Sequence, residues 1–308
     1  AIVRNGERVD SLAAGEQGEI VLNITPFYAE MGGEVGDTGT ITADGVELQV
    51  IDTKAPEKGL VCHVATVASG TLAVGMAVSA QVDAKRRACI ARNHTCTHIL
   101  HAALRQVLGA HVKQAGSYVG PDRLRFDFTH FQAVSAAELA EVERIANEKI
   151  MAALPVTTRV MSIDEARASG ATALFGEKYG SEVRVVDVEG FSRELCGGTH
   201  VANSAECGLL KIVSEGSVAA NVRRIEAVTS FDALAFLNEQ QASLKAAADL
   251  LKVTPGEVVK RVEDNLATIK QFEDAEKKAK AASVAAMVDE ALAGVIDAGY
   301  PVCVARFD

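Results

Sequence analysis

The sequence predicts an α+β protein in three parts: a small N-terminal β-barrel, a mixed α+β domain and a C-terminal helical hairpin. Three successive patterns along its 308 residues carry that expectation. Apolar and polar residues alternate in short runs up to about residue 84, apolar residues recur with helical spacing from about 85, and a heptad-like seam takes over beyond about 231. A chain of this length has room for two or three domains and a sizeable core.

The first part is rich in Val, Ile, Thr and Gly. Glu19-Ile20-Val21-Leu22-Asn23-Ile24 and Val46-Glu47-Leu48-Gln49-Val50-Ile51 alternate as half-buried strands do, and Asp44-Gly45 punctuates them as a turn. Short strands divided by turns suggest a barrel, with its boundary at residue 86. Gly32-Gly33 and Gly36 interrupt the alternation and mark a tight backbone excursion after Tyr28.

Residues 87–230 read as one sheet backed by helices. Leu100, Leu104, Val107 and Leu108 form an apolar helical stripe that ends near Gly109. A capping box, Ser135 with Glu138, opens a second helix that stops by Pro155 and buries Leu139, Val142, Ile145 and Ala146. Ser162 with Glu165 opens a shorter one ending near Gly170. Val183, Val185, Val186 and Val188 read as a strand, as do Leu209 to Val213 and Arg224 to Thr229.

Residues 231–294 make the hairpin. Leu234, Leu237, Gln241, Leu244, Ala248 and Leu251 follow alternating spacings of three and four. Thr254-Pro255-Gly256-Glu257 then starts a second long helix, whose Val259, Val262, Leu266 and Ile269 are expected to fold back on the first. The Ala- and Lys-rich stretch 275–286 continues it in solvent. Tyr300 to Phe307 reads as one strand with nothing to pair against, so 295–308 is expected to be the start of a further globular domain. The chain also begins with Ala, and it is expected to be a piece of a longer protein.

A net charge of −10 argues against a general nucleic-acid coat protein. Lys85-Arg86-Arg87 with Arg92, Arg123 with Arg125, and Arg223-Arg224 remain as local basic patches, fit either for a brief RNA contact or for solvated surface. No apolar run approaches the roughly 20 residues of a membrane span, and no signal peptide is visible. Six scattered cysteines, with no secreted-framework spacing, point to a reducing, cytoplasmic setting.

Two short motifs carry the chemistry. His94-Thr95-Cys96-Thr97-His98 puts two imidazoles one helical turn apart on one face, and Cys196-Gly197-Gly198-Thr199-His200 adds a thiolate and a third imidazole across a flexible turn. Together they make a full tetrahedral donor set for Zn2+. His101 lies on nearly the same face, so spacing alone does not settle which histidines bind. Cys96, midway along its motif, points away from the ligand face. The plain alternative is a buried cysteine and satisfied histidines beside a Gly-rich turn. Thr95 stands where His-Glu-x-x-His metalloproteases carry their glutamate, which argues against a peptidase.

These residues also carry a family resemblance. Asn93 to Leu104, His111-Val112-Lys113-Gln114-Ala115-Gly116-Ser117, Arg123 to Phe128, Glu194 to His200 and Arg223 to Val228 together resemble the editing domain of alanyl-tRNA synthetases and its free-standing deacylase relatives. Thr25 to Glu30, Gly32-Gly33 and Gly36-Asp37 look like the translation-factor-like β-barrel that precedes it, and the helical region looks like the start of the C-terminal oligomerisation and tRNA-binding part. Threonyl-tRNA synthetases share a related editing fold but place proline before the last histidine, where this chain has Thr199.

The resemblance implies an ester hydrolase that removes serine or glycine from mischarged tRNA(Ala), within a ligase that uses ATP at full length. No class II aminoacylation core is recognisable in this stretch. It implies zinc ligation by His94, His98, Cys196 and His200, catalytic positioning by Gln114 and Thr97, and substrate contacts from Ser117, Arg123, Arg223, Arg224, Gly32 and Gly33. Its implied partner is the acceptor end of tRNA(Ala), with self-association through the C-terminal helices and no membrane. Glu34 departs from the glutamine usual in the barrel motif, and Cys96 replaces a small residue. Four protein ligands leave no free position on a tetrahedral zinc. The ion would either expand or exchange its coordination to take part in hydrolysis, or only position the ester. Two rival readings are a non-catalytic tRNA-binding or oligomerisation piece with a structural zinc, and a zinc hydrolase of small molecules.

Overall fold

The computed structural model describes residues 1–172, 180–293, 296–297, 299 and 301–302. Among the described residues it is α+β, built from antiparallel sheets and five α-helices. The chain divides into two units, Ala1–Phe236 and Leu237–Asp308.

The first unit begins with strands β1 (Ile2–Arg4), β2 (Glu7–Val9), β3 (Ser11–Ala13), β4 (Gln17–Val21), β5 (Gly39–Ala43), β6 (Val46–Glu57), β7 (Leu60–Ser69), β8 (Thr71–Ala73) and β9 (Ser79–Val82). Seven of them pair in the order β2-β1-β4-β7-β6-β5-β9, and β3 pairs with β8 apart from them. Alternation does its expected work, with Val46, Leu48 and Val50 of β6 pointing into a core shared with Leu12, Ile20, Ile41 and Leu72. The expected barrel is not closed by hydrogen bonds, because the edge strands β2 and β9 do not pair. Leu12 of β3 and Leu72 of β8 enter the same core.

Helix α1 (Ala84–Leu108) follows, with the Asp83 carboxylate accepting from the amides of Lys85 and Arg86. Two arginines of the first basic patch prove to be latches. Arg86 donates to the Gly36 carbonyl at 2.8 Å, and Arg87 pairs with the buried Asp37, its Nε lying 2.8 Å from Oδ1. The middle of α1, including Asn93 to His101, is buried all round. A helix in that position is central to its domain, and its polar groups must find internal partners.

Around α1 the chain adds β10 (Gln114–Val119), β11 (Leu124–Thr129), α2 (Ala136–Met151), β12 (Val156–Ser162), α3 (Ile163–Ala168), β13 (Glu182–Val188), β14 (Ser192–Leu195), β15 (Leu210–Ala219) and β16 (Val222–Thr229). The single expected sheet is in fact two, ordered β10-β11-β16-β15 and β12-β13-β14. Phe126, Phe128 and Ile225 of the larger sheet bury against Leu100 and Leu104 of α1 and Val142 and Ile145 of α2. Both capping boxes form, at Ser135–Glu138 and Ser162–Glu165.

Helices α4 (Ser230–Leu251) and α5 (Val258–Ala293) make the C-terminal part. Before α5 the Thr254 amide and hydroxyl both donate to Glu257 Oε2, and the Glu257 amide donates to the Thr254 carbonyl, not to its hydroxyl. Val259, Val262, Leu266 and Ile269, expected to fold back on the first helix, remain 41–70% exposed. Two helices alone share at most one line of contact, and burying these stripes needs a further surface over them. Pro301–Val302 pairs with Ile296–Asp297, so this strand is not partnerless. Tyr300 and residues 303–307 lie outside the described residues, as does most of the expected further domain. No helix among the described residues is long and apolar enough to cross a membrane.

Candidate metal centre

His94 and His98 leave α1 on one face, and Cys196 and His200 flank the turn that follows β14. Their donor atoms all lie within 4.8 Å of one another. Cys196 Sγ is 3.4 Å from His94 Nε2 and 3.3 Å from His200 Nε2. Bond lengths of about 2.3 Å to sulfur and about 2.0 Å to nitrogen give S···N edges of about 3.5 Å around a tetrahedral ion, so the set fits one. The question of His101 is resolved by its partner: its Nδ1 sits 3.0 Å from Glu194 Oε1, outside the donor group. Cys96 is fully buried and beside Cys207, also outside it.

A second layer holds the ligands. Glu34 Oε2 meets His94 Nδ1 at 2.5 Å, and His200 Nδ1 meets the Thr95 hydroxyl at 3.1 Å. Glu194 Oε2 lies 3.8 Å from His98 Nδ1. Arg184 donates from Nη1 to the carbonyls of Cys196 and Gly198 at 2.9 and 2.6 Å, which pins the ligand turn to β13. Gly198 is required because a Cβ there would collide with Glu34 and the His94 ring.

The electrostatics suit a metal. Burial opposes a thiolate at Cys196, but the charges of His94 and His98, with hydrogen bonds to His200 and His94, hold its thiol far below the ordinary range. Burial likewise opposes a charged His94, yet Cys196 and Glu34 together push its pKa well up. Burial, reinforced by the His94 charge, keeps His200 neutral. A divalent cation would replace the protons that hold this cluster together and complete the same pattern of charge.

His94, His98 and Cys196 open onto a cavity of about 330 Å³, which Gly32, Thr97, Gln114 and Ser117 also line. The Thr97 hydroxyl donates to the Asn93 carbonyl at 2.8 Å. Gln114 Nε2 lies 3.1 Å from Ser117 Oγ, which donates to the Gly32 carbonyl at 3.1 Å. Gly33 lies behind this lining, with a φ of 91° and no room for a Cβ beside Ser117. The three predicted arginines stand apart from the cavity lining. Arg224 grips Asp127 through two bonds of 2.7 and 2.8 Å, Arg223 grips Glu215, and Arg123 pairs with Asp122. Sequence reading singled out neither Arg184 nor Lys58, and Glu194 and Glu34, though within the motifs named above, were given no part in the centre. Lys58 lines the cavity from the tip of the β6–β7 hairpin, where Lys58-Gly59 was the only signal.

Comparison with known proteins gives two matched segments, one of which covers part of this region. Residues 183–226, which include Cys196 and His200, match the family "Threonyl and Alanyl tRNA synthetase second additional domain", and residues 1–86 match "tRNA synthetases class II (A)". Both matched segments thus point to the synthetases that carry this additional domain. Alanine–tRNA ligase of Acetivibrio thermocellus is 49% identical over 308 residues, 100% of this chain and 35% of its own. Its counterpart in Mesorhizobium japonicum is 48% identical over 313 residues, covering 96% of this chain and 35% of the relative, and that of Bordetella petrii is 50% identical over 287 residues, covering 92% and 33%. The chain belongs to the alanyl-tRNA synthetase family and spans about a third of the length of these relatives.

Proposed function

We propose that this stretch hydrolyses the ester of tRNA(Ala) mischarged with serine or glycine, at a zinc site made by His94, His98, Cys196 and His200. The observation that carries the proposal is that His94, His98 and Cys196 of this donor set open onto a cavity lined by Thr97, Gln114 and Ser117. A bound zinc would supply Lewis-acid polarisation or fixed positioning of the ester. The Thr97 hydroxyl spends its hydrogen on the Asn93 carbonyl, which leaves a lone pair able to accept from a serine hydroxyl. Alanine has nothing to offer there, and a synthetic pocket cannot strongly exclude one added hydroxyl, so a second site is the physical remedy. Gln114 orients water or substrate, since its amide cannot act as a strong base. Gly33 shapes the Ser117 wall, and Lys58 adds positive charge suited to a phosphate of the acceptor end.

We read residues 1–86 as the barrel-like segment, 87–230 as the editing domain, 231–294 as the helical region and 295–308 as the start of a further domain. Arg123, Arg223 and Arg224 are assigned to tRNA contacts away from the ester. Self-association rests on exposed apolar side chains such as Leu234, Leu244 and Leu266. The working compartment in this reading is the cytoplasm.

The test is deacylation of Ser-tRNA(Ala) against Ala-tRNA(Ala), with Cys196→Ala alongside. Selective release of serine that depends on Cys196 is expected. Equal rates on the two substrates would refute the editing assignment, and zinc binding without any release would favour a structural metal.

A further inference from the structure

We infer that Glu34 is a positioning residue of the metal centre, its carboxylate fixing both the His94 ring and the Cys196–His200 turn. The β-rich segment that carries Glu34 is then a working part of the centre. This rests on the metal reading given above.

Glu34 is 1% exposed, and a carboxylate so deeply buried is costly unless its oxygens are paired. All of its side-chain partners belong to the centre. Oε2 lies 2.5 Å from His94 Nδ1 and accepts from the Thr199 amide at 2.8 Å, while Oε1 accepts from the Thr199 hydroxyl at 2.6 Å. With a metal in place of the proton shared between His94 and Cys196, a hydrogen on Nδ1 directed at Glu34 would leave the Nε2 lone pair for the ion, on the side where Cys196 Sγ lies 3.4 Å away. A carboxylate in that place selects the tautomer, sets the ring's rotation and makes the nitrogen a stronger donor.

The other two histidines lack this arrangement. His200 faces a neutral hydroxyl, and His98 stands 3.8 Å from its carboxylate, beyond hydrogen-bond reach. Of the three rings, His94 alone has a carboxylate at contact distance.

The backbone around Glu34 is built to hold still. Met31 and Glu34 exchange amide-to-carbonyl bonds, the Val35 amide donates to the Val119 carbonyl at 3.1 Å, and the Val119 amide donates to the Gly33 carbonyl at 2.8 Å. These bonds lash the turn to β10, and the absence of a Cβ at Gly33 permits the approach. Glu34 is therefore delivered to the centre on a rigid support, as a positioning group must be.

The test compares zinc affinity by chelator competition in the wild type, Glu34→Ala and Glu34→Gln, with the cobalt(II) absorption spectrum as a second readout. The wild type is expected to hold about one zinc. Glu34→Ala is expected to bind it about 10–100-fold more weakly with a shifted cobalt spectrum, and Glu34→Gln about tenfold more weakly with a spectrum close to wild type. Wild-type affinity within twofold and an unchanged spectrum in Glu34→Ala would overturn the role of Glu34 while leaving the metal site intact. Should Glu34→Ala not fold, Glu34→Gln within twofold of wild type has the same meaning. Absence of zinc from the wild type itself would overturn both this role and the metal reading.

Discussion

Thr199 donates to Glu34 twice, from its amide to Oε2 at 2.8 Å and from its hydroxyl to Oε1 at 2.6 Å. Proline, the residue found at this place in threonyl enzymes, has neither donor. Thr199→Ala removes the hydroxyl bond alone and leaves a buried carboxylate oxygen short of a partner. A cost of about 1–3 kcal/mol is expected for it, and a larger one for Thr199→Pro. Urea unfolding of the metal-free protein measures both, and equal losses would show that the amide bond contributes nothing.

Some of this centre was legible in advance. His94 and His98 could be read because a spacing of four matches a helical turn, and Cys196 and His200 because Gly197-Gly198 allows the chain to fold between them. The part played by Glu34 could not, since it reaches His94 across 60 residues with no periodicity to announce it. The same limit applies to sheets. Alternation says which side chains of β6 face inward but not which strand pairs with which, so a barrel was expected where an open ladder stands. Strand β11 was overlooked although Leu124, Phe126 and Phe128 alternate with Arg125 and Asp127. In α5 the apolar spacing identified a stripe without identifying what covers it.

Gly197 and Gly198 are adjacent, but their substitution is expected to give opposite results. A Cβ at Gly198 collides with Glu34 and the His94 ring, whereas one at Gly197 meets only the Met31 Cε, 3.0 Å away at the end of a flexible side chain. Gly198→Ala should destabilise by about 1–3 kcal/mol through overpacking and lower the zinc content, while Gly197→Ala should leave both nearly unchanged. Elemental analysis and a thermal melt of the two variants decide this. Comparable loss in both would mean that backbone freedom, not the steric contact, is what the turn requires.

Thr97→Val keeps the shape of the side chain and removes its oxygen. If that oxygen accepts from the serine hydroxyl, kcat/KM on Ser-tRNA(Ala) should fall about tenfold, the worth of one hydrogen bond, with little change on Ala-tRNA(Ala). The ratio of the two rates is the informative quantity, because loss of packing would lower both together. An unchanged ratio would remove Thr97 from discrimination and leave it as a wall of the cavity.

His63 gives the β-rich segment a pH dependence of its own. The ring is fully buried, with Nδ1 2.7 Å from the Ile20 carbonyl and Nε2 2.7 Å from the Thr25 hydroxyl. A carbonyl only accepts, so Nδ1 carries the hydrogen and Nε2 takes that of Thr25, whose oxygen in turn accepts from the Phe27 amide. Protonating Nε2 would end its acceptance from Thr25, whose hydroxyl would have to turn its hydrogen away, and would place a charge inside a core. Burial accordingly lowers the pKa of His63, against a smaller upward pull from the Ile20 bond. The unfolded chain therefore binds this proton more readily than the folded one. Stability from this group is intact above the unfolded value of about 6.5 and is lost as pH falls below it toward the folded value. His63→Gln can donate to Ile20 and accept from Thr25 without titrating. Urea midpoints taken at about pH 7.5 and about pH 5.5, with chelator present throughout, should drop more for the wild type than for His63→Gln. The comparison subtracts the titration that both proteins share at the metal ligands, and parallel drops would exclude His63 as the source.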